Sequence, residues 1–389
     1  MPITALEPTK WPWFQYDGYS FSLGLTDSDK VWLSGHSASS YDTDTGHIVV
    51  RGGMADQAAV AHEKASVLLD AAGLSWQDVT HVVDNVAAAG LNTYHELVDY
   101  RRRMGLGGLA VTTVVVDHLL RPDALIEIEV DASAGTEANG ISPNDVGVDE
   151  TPVRLPMVYP IDSTGEVIAP GDFAAQYRAC LERAAALLQP LGLGLSDVVR
   201  TVDYSTPSTR RAYPTAGSAR RELLGPVYPA SAGILVERLA VPDALIALDV
   251  TATRQPSEAV NGGWARYETL TYSASVRSGR DLYMSGFAAL DLETQDALHS
   301  GDVAAQAEVI YESIAHLLSF AGGSVADLVR TTEYVTPGGL DAYREVSAVR
   351  RKVLRAPWPA STGAVAAALL RREFLLEVIP TARLGAPLP

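Results

Sequence analysis

The first third of the chain alternates apolar and polar positions in a fixed order. "VWLSGH" at 31–36 reads as a strand, Val31–Gly35, that ends on a Ser-Gly pair, and the polar turn "YDTDTG" at 41–46 follows it. "ADQAAVAHEKASVLLDAAG" at 55–73 then sets apolar residues at helical spacing, with Gly73 just past the end, which predicts an amphipathic helix. "DVTHVVDNV" at 78–86 is β-rich, a second helix is predicted near Tyr94–Met104, and "AVTTVVV" and "ALIEIEV" close the unit as two strands. Mixed strands with two helices predict an α+β fold, a sheet covered on one face by helices.

The same order is written three times. "LLDAAGLSWQDVTHVVDNV" at 68–86 matches "LLQPLGLGLSDVVRTVDYS" at 187–205, and both match "LLSFAGGSVADLVRTTEYV" at 317–335. "RPDALIEIEVDA", "VPDALIALDVTA" and "RREFLLEVIPTA" end the copies, and "YPASAG" at 228–233 returns as "WPASTG" at 358–363. The Ser-Gly strand recurs as "LYMSGF" at 282–287, whereas the middle copy reads "RLPMVY" and has drifted. Three repeats follow, at 1–133, 151–253 (degenerate) and 266–385. Segments 134–150 and 252–266, rich in Gly, Ser, Pro, Asn and Glu, read as linkers.

Composition narrows the function classes. The chain has 389 residues and a formal net charge of −17, which argues against a nucleic-acid or anionic-membrane partner. No apolar run approaches the roughly 20 residues of a membrane span, and the N-terminal "MPITALEPTKWPWFQYDGYS" lacks a signal-peptide pattern, so a cytoplasmic protein is expected. The lone cysteine, Cys180, sits among helical apolar neighbours and reads as a buried, inert thiol. The eight histidines form neither HExxH nor a close pair at ligand spacing, so no metal or other cofactor is expected. "GLGG" at 105–108 lacks the strand–loop–helix setting of a nucleotide loop.

The order Ser-Gly, helix, Ala-Ala-Gly, Asp-(Val/Leu)-Val, second helix, Pro-Ala-Ser and Ile-Glu-Ile-Glu resembles the Rid family (RidA, YjgF/YER057c/UK114) over nearly the whole chain. The resemblance implies three tandem RidA-like, chorismate-mutase-like domains packed as a single-chain pseudo-trimer, with ligand clefts between neighbours. The expected assembly is a monomeric pseudo-trimer or weak dimer with a small-molecule substrate. RidA hydrolyses imines and enamines with the arginine of a "PARS" phrase, which binds the substrate carboxylate. Here that place holds Thr112, Ser231 and Ser361, so ordinary 2-aminoacrylate deamination is not expected.

The resemblance also nominates site residues. Glu127 and Glu377 match a water-holding glutamate in the last strand, where the middle copy has Ala247. Ser34 and Ser285 match a strand serine, and Tyr272 matches a cleft tyrosine that is Phe21 in the first copy. With the glutamate strand taken from one neighbour and the Ser-Gly strand from the other, one complete cleft is expected, between repeats one and three. Substrate contacts from Thr112 and Ser361 are expected as well. All three copies also pair an acid (Asp84, Asp203, Glu333) with an Arg-Arg step (101–102, 220–221, 350–351). Acid and arginine are expected to meet, either as a structural salt bridge or with Arg101 or Arg350 supplying the missing cation. His36 follows a Ser-Gly pair and reads as a core residue or a catalytic base. The expected activity is a hydrolysis, cyclisation or lyase step on a small carboxylate-bearing carbonyl, imine or enol, with Glu127 or Glu377 as general acid/base. A non-catalytic metabolite-binding or regulatory protein is the alternative.

Overall fold

The computed structural model describes residues 2–27, 30–134 and 151–385. Its strands form three large mixed sheets and a two-stranded hairpin. In the first sheet, strand Ile126–Ser133 lies antiparallel between Lys30–Leu33 and Val79–Ala87, and Val79–Ala87 runs parallel to Val111–Val116. The parallel step needs a crossover, which helix Tyr94–Arg103 supplies. The second sheet repeats this core with Ile246–Ala252, Val198–Ser205 and Ala230–Leu235, and the third with Leu376–Arg383, Leu328–Val335 and Ala360–Val365.

The long helices Met54–Ala71, Phe173–Leu188 and Val303–Phe320 each cover one sheet face. Their apolar stripes meet alternate residues of the strands beneath. Leu68 and Leu69 pack with Ile126 and Ile128, and Ile314 and Leu317 pack with Leu376 and Val378. The opposite sheet faces turn toward one another. Val83, Val114, Val202, Ile234, Tyr334 and Ile379, drawn from all three sheets, share a single core.

Strand pairing also crosses between units. His118–Leu119 of the first unit pairs with the third sheet, and Ala368–Leu369 of the third pairs with the second. Ion pairs join the units at Asp131 of the first. Arg154 of the second lies 3.4 Å from it while holding Asp249 of its own unit at 2.9 Å, and Arg330 of the third reaches Asp131 at 2.6 Å. Separated units would share none of these contacts.

One expectation changes. The 252–266 segment is not an open linker: Ser257–Val260 forms the edge strand of the third sheet, pairing with Ser275–Ser278. β-Branched Val260 fits a pleated edge, and Trp264 packs onto the core behind it. The drifted middle copy keeps only Val153–Arg154 where the other units have a longer strand. The 134–150 linker falls, after residue 134, outside the described residues.

Candidate functional site

The Ser-Gly strands stitch the units together. Ser285 Oγ donates to the Ser273 carbonyl at 2.6 Å and accepts from the Ser231 N–H at 2.8 Å, and the Gly286 N–H donates to the Ser231 carbonyl at 3.1 Å. Ser34 does the same at the other seam. It donates to the Ser22 carbonyl at 2.6 Å and accepts from the Ser361 N–H at 2.8 Å, while the Gly35 N–H meets the Ser361 carbonyl. Both serines are fully buried, so the geometry gives their hydroxyls to the seam. Each "PAS" strand therefore lies against the Ser-Gly strand of the next unit.

The glutamates stand beside these stitches. Strand pairing opposes Glu127 to Ser37 and Glu377 to Ala288, directly after the Ser-Gly pairs of their own units. A Cβ on Gly35 would collide with the Glu127 carboxyl, and one on Gly286 with that of Glu377. Glycine is required there so that the carboxyl can lie over the backbone. This corrects the expected division of labour. Glutamate and Ser-Gly strand come from one unit, because they are neighbours in one sheet, and the adjoining unit supplies the "PAS" strand. The second unit lacks the glutamate but contributes an intact "YPASAG" strand, so the seam between units three and two is as complete as the seam between one and three.

A cavity of about 240 Å³ opens at the seam between the second and third units. Glu377 and Tyr272 line it from the third unit, Tyr213 and Arg220 from the second. Burial pushes the Glu377 carboxyl up to about 8, a hydrogen bond from the Gly233 backbone opposing part of the rise. At neutral pH it is a buried carboxylic acid that can give a proton and take it back. Arg266, on the short turn Ala265–Glu268, also lines the cavity and donates to the Tyr272 hydroxyl at 3.2 Å. Arg371 sits exposed at the rim, its guanidinium on the Gln295 carbonyl.

The acid and arginine of each unit do meet. Arg101 clasps Asp84 with two bonds of 2.6 Å, Arg220 pairs with Asp203, and Arg350 pairs with Glu333, all buried. Tyrosines complete each cluster: Tyr94 donates to Asp84, Tyr177 and Tyr213 to Asp203, Tyr311 and Tyr343 to Glu333. Arg101 and Arg350 thus have carboxylates as first partners, which is the salt-bridge form of the expectation. Arg220 also donates to Ser231 Oγ at 2.8 Å, placing its guanidinium on the "PAS" strand at the cavity wall.

The remaining candidates lie at the other two seams. Glu127 is half-buried and also rises to about 8, through burial and then Glu129, with Lys64 and Arg121 pulling it back. Ser361 accepts from Thr331 at 3.3 Å, and Thr112 donates to the Leu155 carbonyl at 3.1 Å, across the seam with the glutamate-free second unit. His36 is buried against Trp11 and bonded to the Leu23 carbonyl; burial and Lys64 hold it down at about 3, so it stays neutral as a core residue. Cys180 is buried and free.

Arg266 escaped notice in the sequence. The signal lay in aligning "WFQYDGYSFS" at 13–22 with "WARYETLTYS" at 264–273, which sets Gln15 against Arg266. Phe287 and Phe374, which also line the cavity, read from sequence as ordinary core positions.

The fold and its seams define the class, and the comparisons agree with it. The family model for endoribonuclease L-PSP matches residues 265–384. A 57-residue stretch is 42% identical to the 3-aminoacrylate deaminase RutC of Acinetobacter baylyi (strain ATCC 33305 / BD413 / ADP1). That match covers 15% of this chain and 44% of the relative, less than half the relative's length. A solved chorismatase superposes over 79% of this chain and 93% of its own, with a TM-score of 0.52 and 16% identity, a likeness of fold. A YjgF/YER057c/UK114 member from Mycobacterium tuberculosis aligns over 33% of this chain and all of its own at 26% identity, TM-score 0.28. By these matches the chain is similar to Rid family proteins, and its third repeat falls within the family model.

Proposed function

We propose that the chain is a single-chain Rid pseudo-trimer of repeats 1–133, 151–253 and 266–385, and an enzyme acting at the cleft between the second and third. Its substrate is a small carboxylate-bearing carbonyl, imine or enol, and Glu377 is the general acid/base. The observation that carries this reading is a carboxyl raised to about 8 inside a 240 Å³ cavity. In hydrolysis, Glu377 protonates the imine nitrogen. The resulting carboxylate then takes a proton from water as the water oxygen bonds to carbon. The proton returns to nitrogen, the C–N bond breaks as the carbinol oxygen forms the C=O bond, nitrogen departs as ammonia, and the Glu377 carboxylate takes up the hydroxyl proton, which restores the acid. The deaminase relative and the absence of arginine from positions 112, 231 and 361 together support related chemistry on a different substrate.

The test pairs Glu377→Gln with Glu127→Gln. Imines generated in situ from amino acids by an amino-acid oxidase are followed by ammonia release. The expected loss for Glu377→Gln is about 100-fold or more in kcat/KM, the scale of general acid/base catalysis. Glu127→Gln should stay within about threefold, since such a surplus group is outside the reacting centre. One of the two carboxyl resonances titrating near pH 8 should vanish from ¹³C spectra in Glu377→Gln, and the other in Glu127→Gln. Unchanged rates in Glu377→Gln defeat the proposal.

A further inference from the structure

We infer that the cavity takes a ring-bearing carboxylic acid and that Arg266 anchors its carboxylate. The inference rests on the cleft being the substrate site, though not on the role of Glu377. Three guanidiniums border the cavity, and two are already engaged. Arg220 is bound to Asp203 and Tyr177, and Arg371 lies at the exposed rim on a backbone carbonyl. Arg266 lies 5.3 Å from the centre of the Tyr267 ring and contacts the Tyr272 hydroxyl, while its buried Nε–H has no partner. None of the ion pairs among the described residues gives it a carboxylate. In a chain with 47 acidic and 30 basic residues, a half-buried arginine without an acid is a vacancy for an anion.

The walls set the rest of the ligand. Tyr213, Tyr272, Phe287 and Phe374 line the cavity with aromatic surface, and Leu290 and Leu370 add aliphatic surface. Such a lining favours a flat ring through offset or edge contacts, and the volume exceeds the needs of a three-carbon acid. Because burial keeps Glu377 protonated at neutral pH, it does not repel the incoming carboxylate. The anchor enters from the third unit, opposite the "PAS" strand of the second. It therefore holds the acid in an orientation that an arginine at position 231 could not.

Benzoate and benzamide, matched in shape and differing in charge, are the probes. Binding to the full chain is followed by ligand-observed NMR at pH 7 for wild type, Arg266→Gln, Arg266→Lys and Glu377→Gln, with thermal unfolding confirming each fold. Wild type should prefer benzoate to benzamide by about tenfold or more, Arg266→Gln should lose that preference, and Arg266→Lys should keep part of it. Glu377→Gln, which leaves the Arg266 guanidinium in place, should keep the preference for benzoate over benzamide. Benzoate affinity untouched in Arg266→Gln overturns the anchor, and failure of wild type to bind either probe overturns the ring-bearing class. Arg266-dependent binding alongside imine hydrolysis indifferent to Glu377→Gln upholds the anchor and defeats the catalytic reading alone.

Discussion

Two seams carry a glutamate on the same backbone and differ in what surrounds it. At the seam of units one and three, Glu127 has a cation nearby. Lys64 is buried, bonded to the Ser37 and Ser39 carbonyls at 2.8 and 2.6 Å, and held down at about 7 by burial, with Glu127 opposing. Gln15, Phe21 and His36 stand where the other seam has Arg266, Tyr272 and Phe287. At the seam of units three and two, Glu377 faces an aromatic cavity, and the nearby cation, Arg266, has no ion-pair partner among the described residues. A homotrimer must repeat every change in all of its clefts. Copies joined in one chain can assign the cation to the carboxyl at one seam and to a ligand at another.

The buried clusters behind the seams should give the largest effect. Removing one partner of a buried ion pair leaves the other charge uncompensated, at a cost of about 3–5 kcal/mol. Asp203→Ala, which strands Arg220, should lose that much in urea unfolding, and Asp84→Ala and Glu333→Ala should match it. The exposed Arg178–Glu222 pair is the control, and Glu222→Ala should cost far less than Asp203→Ala. Equal losses at Asp203 and Glu222 would show that the clusters do not anchor helix to sheet.

Stability against pH separates the two carboxyls next. A glutamate raised from its usual 4.5 to about 8 holds a proton in the folded chain that the unfolded chain has released. Stability therefore falls as pH rises from about 4.5 to 8, by up to a few kcal/mol per group, each tenfold change in proton affinity being worth about 1.4 kcal/mol. Lys64 works in the opposite sense. Its amine is lowered to about 7, so stability recovers between pH 7 and 10.5. Glu377→Gln should flatten the fall from pH 5 to 8 in thermal unfolding. Lys64→Met should remove the recovery above pH 7. A melting temperature level across this range would place both carboxyls in water.

Much of this was legible in the chain. Val31–Gly35, the helix ending before Gly73 and the matched "YPASAG" and "WPASTG" strands are local patterns, and local patterns fix local structure. Asp203 and Arg220 could be paired because three copies repeat the same two departures. The seams were harder. Which unit faces Glu377 depends on sheet adjacency and ring order, and neither is written in periodicity. Arg266 was hidden for a different reason: it lies in a Gly- and Glu-containing stretch that reads as linker, and only a comparison with Gln15 distinguishes it.

The smallest effect falls on the hydroxyl that separates Tyr272 from Phe21. Tyr272 accepts one bond from Arg266, at 3.2 Å and half-buried, so it orients the guanidinium without carrying charge. Such a bond contributes about 0.5–1.5 kcal/mol. Tyr272→Phe should therefore weaken benzoate binding by about two- to tenfold and leave benzamide unchanged. Phe21→Tyr, the reciprocal change at the other seam, has Gln15 rather than an arginine opposite it and should leave benzoate binding unaltered. Loss of both probes in Tyr272→Phe would mean that the ring, through packing, supplies the affinity, and the hydroxyl would cease to distinguish the two seams.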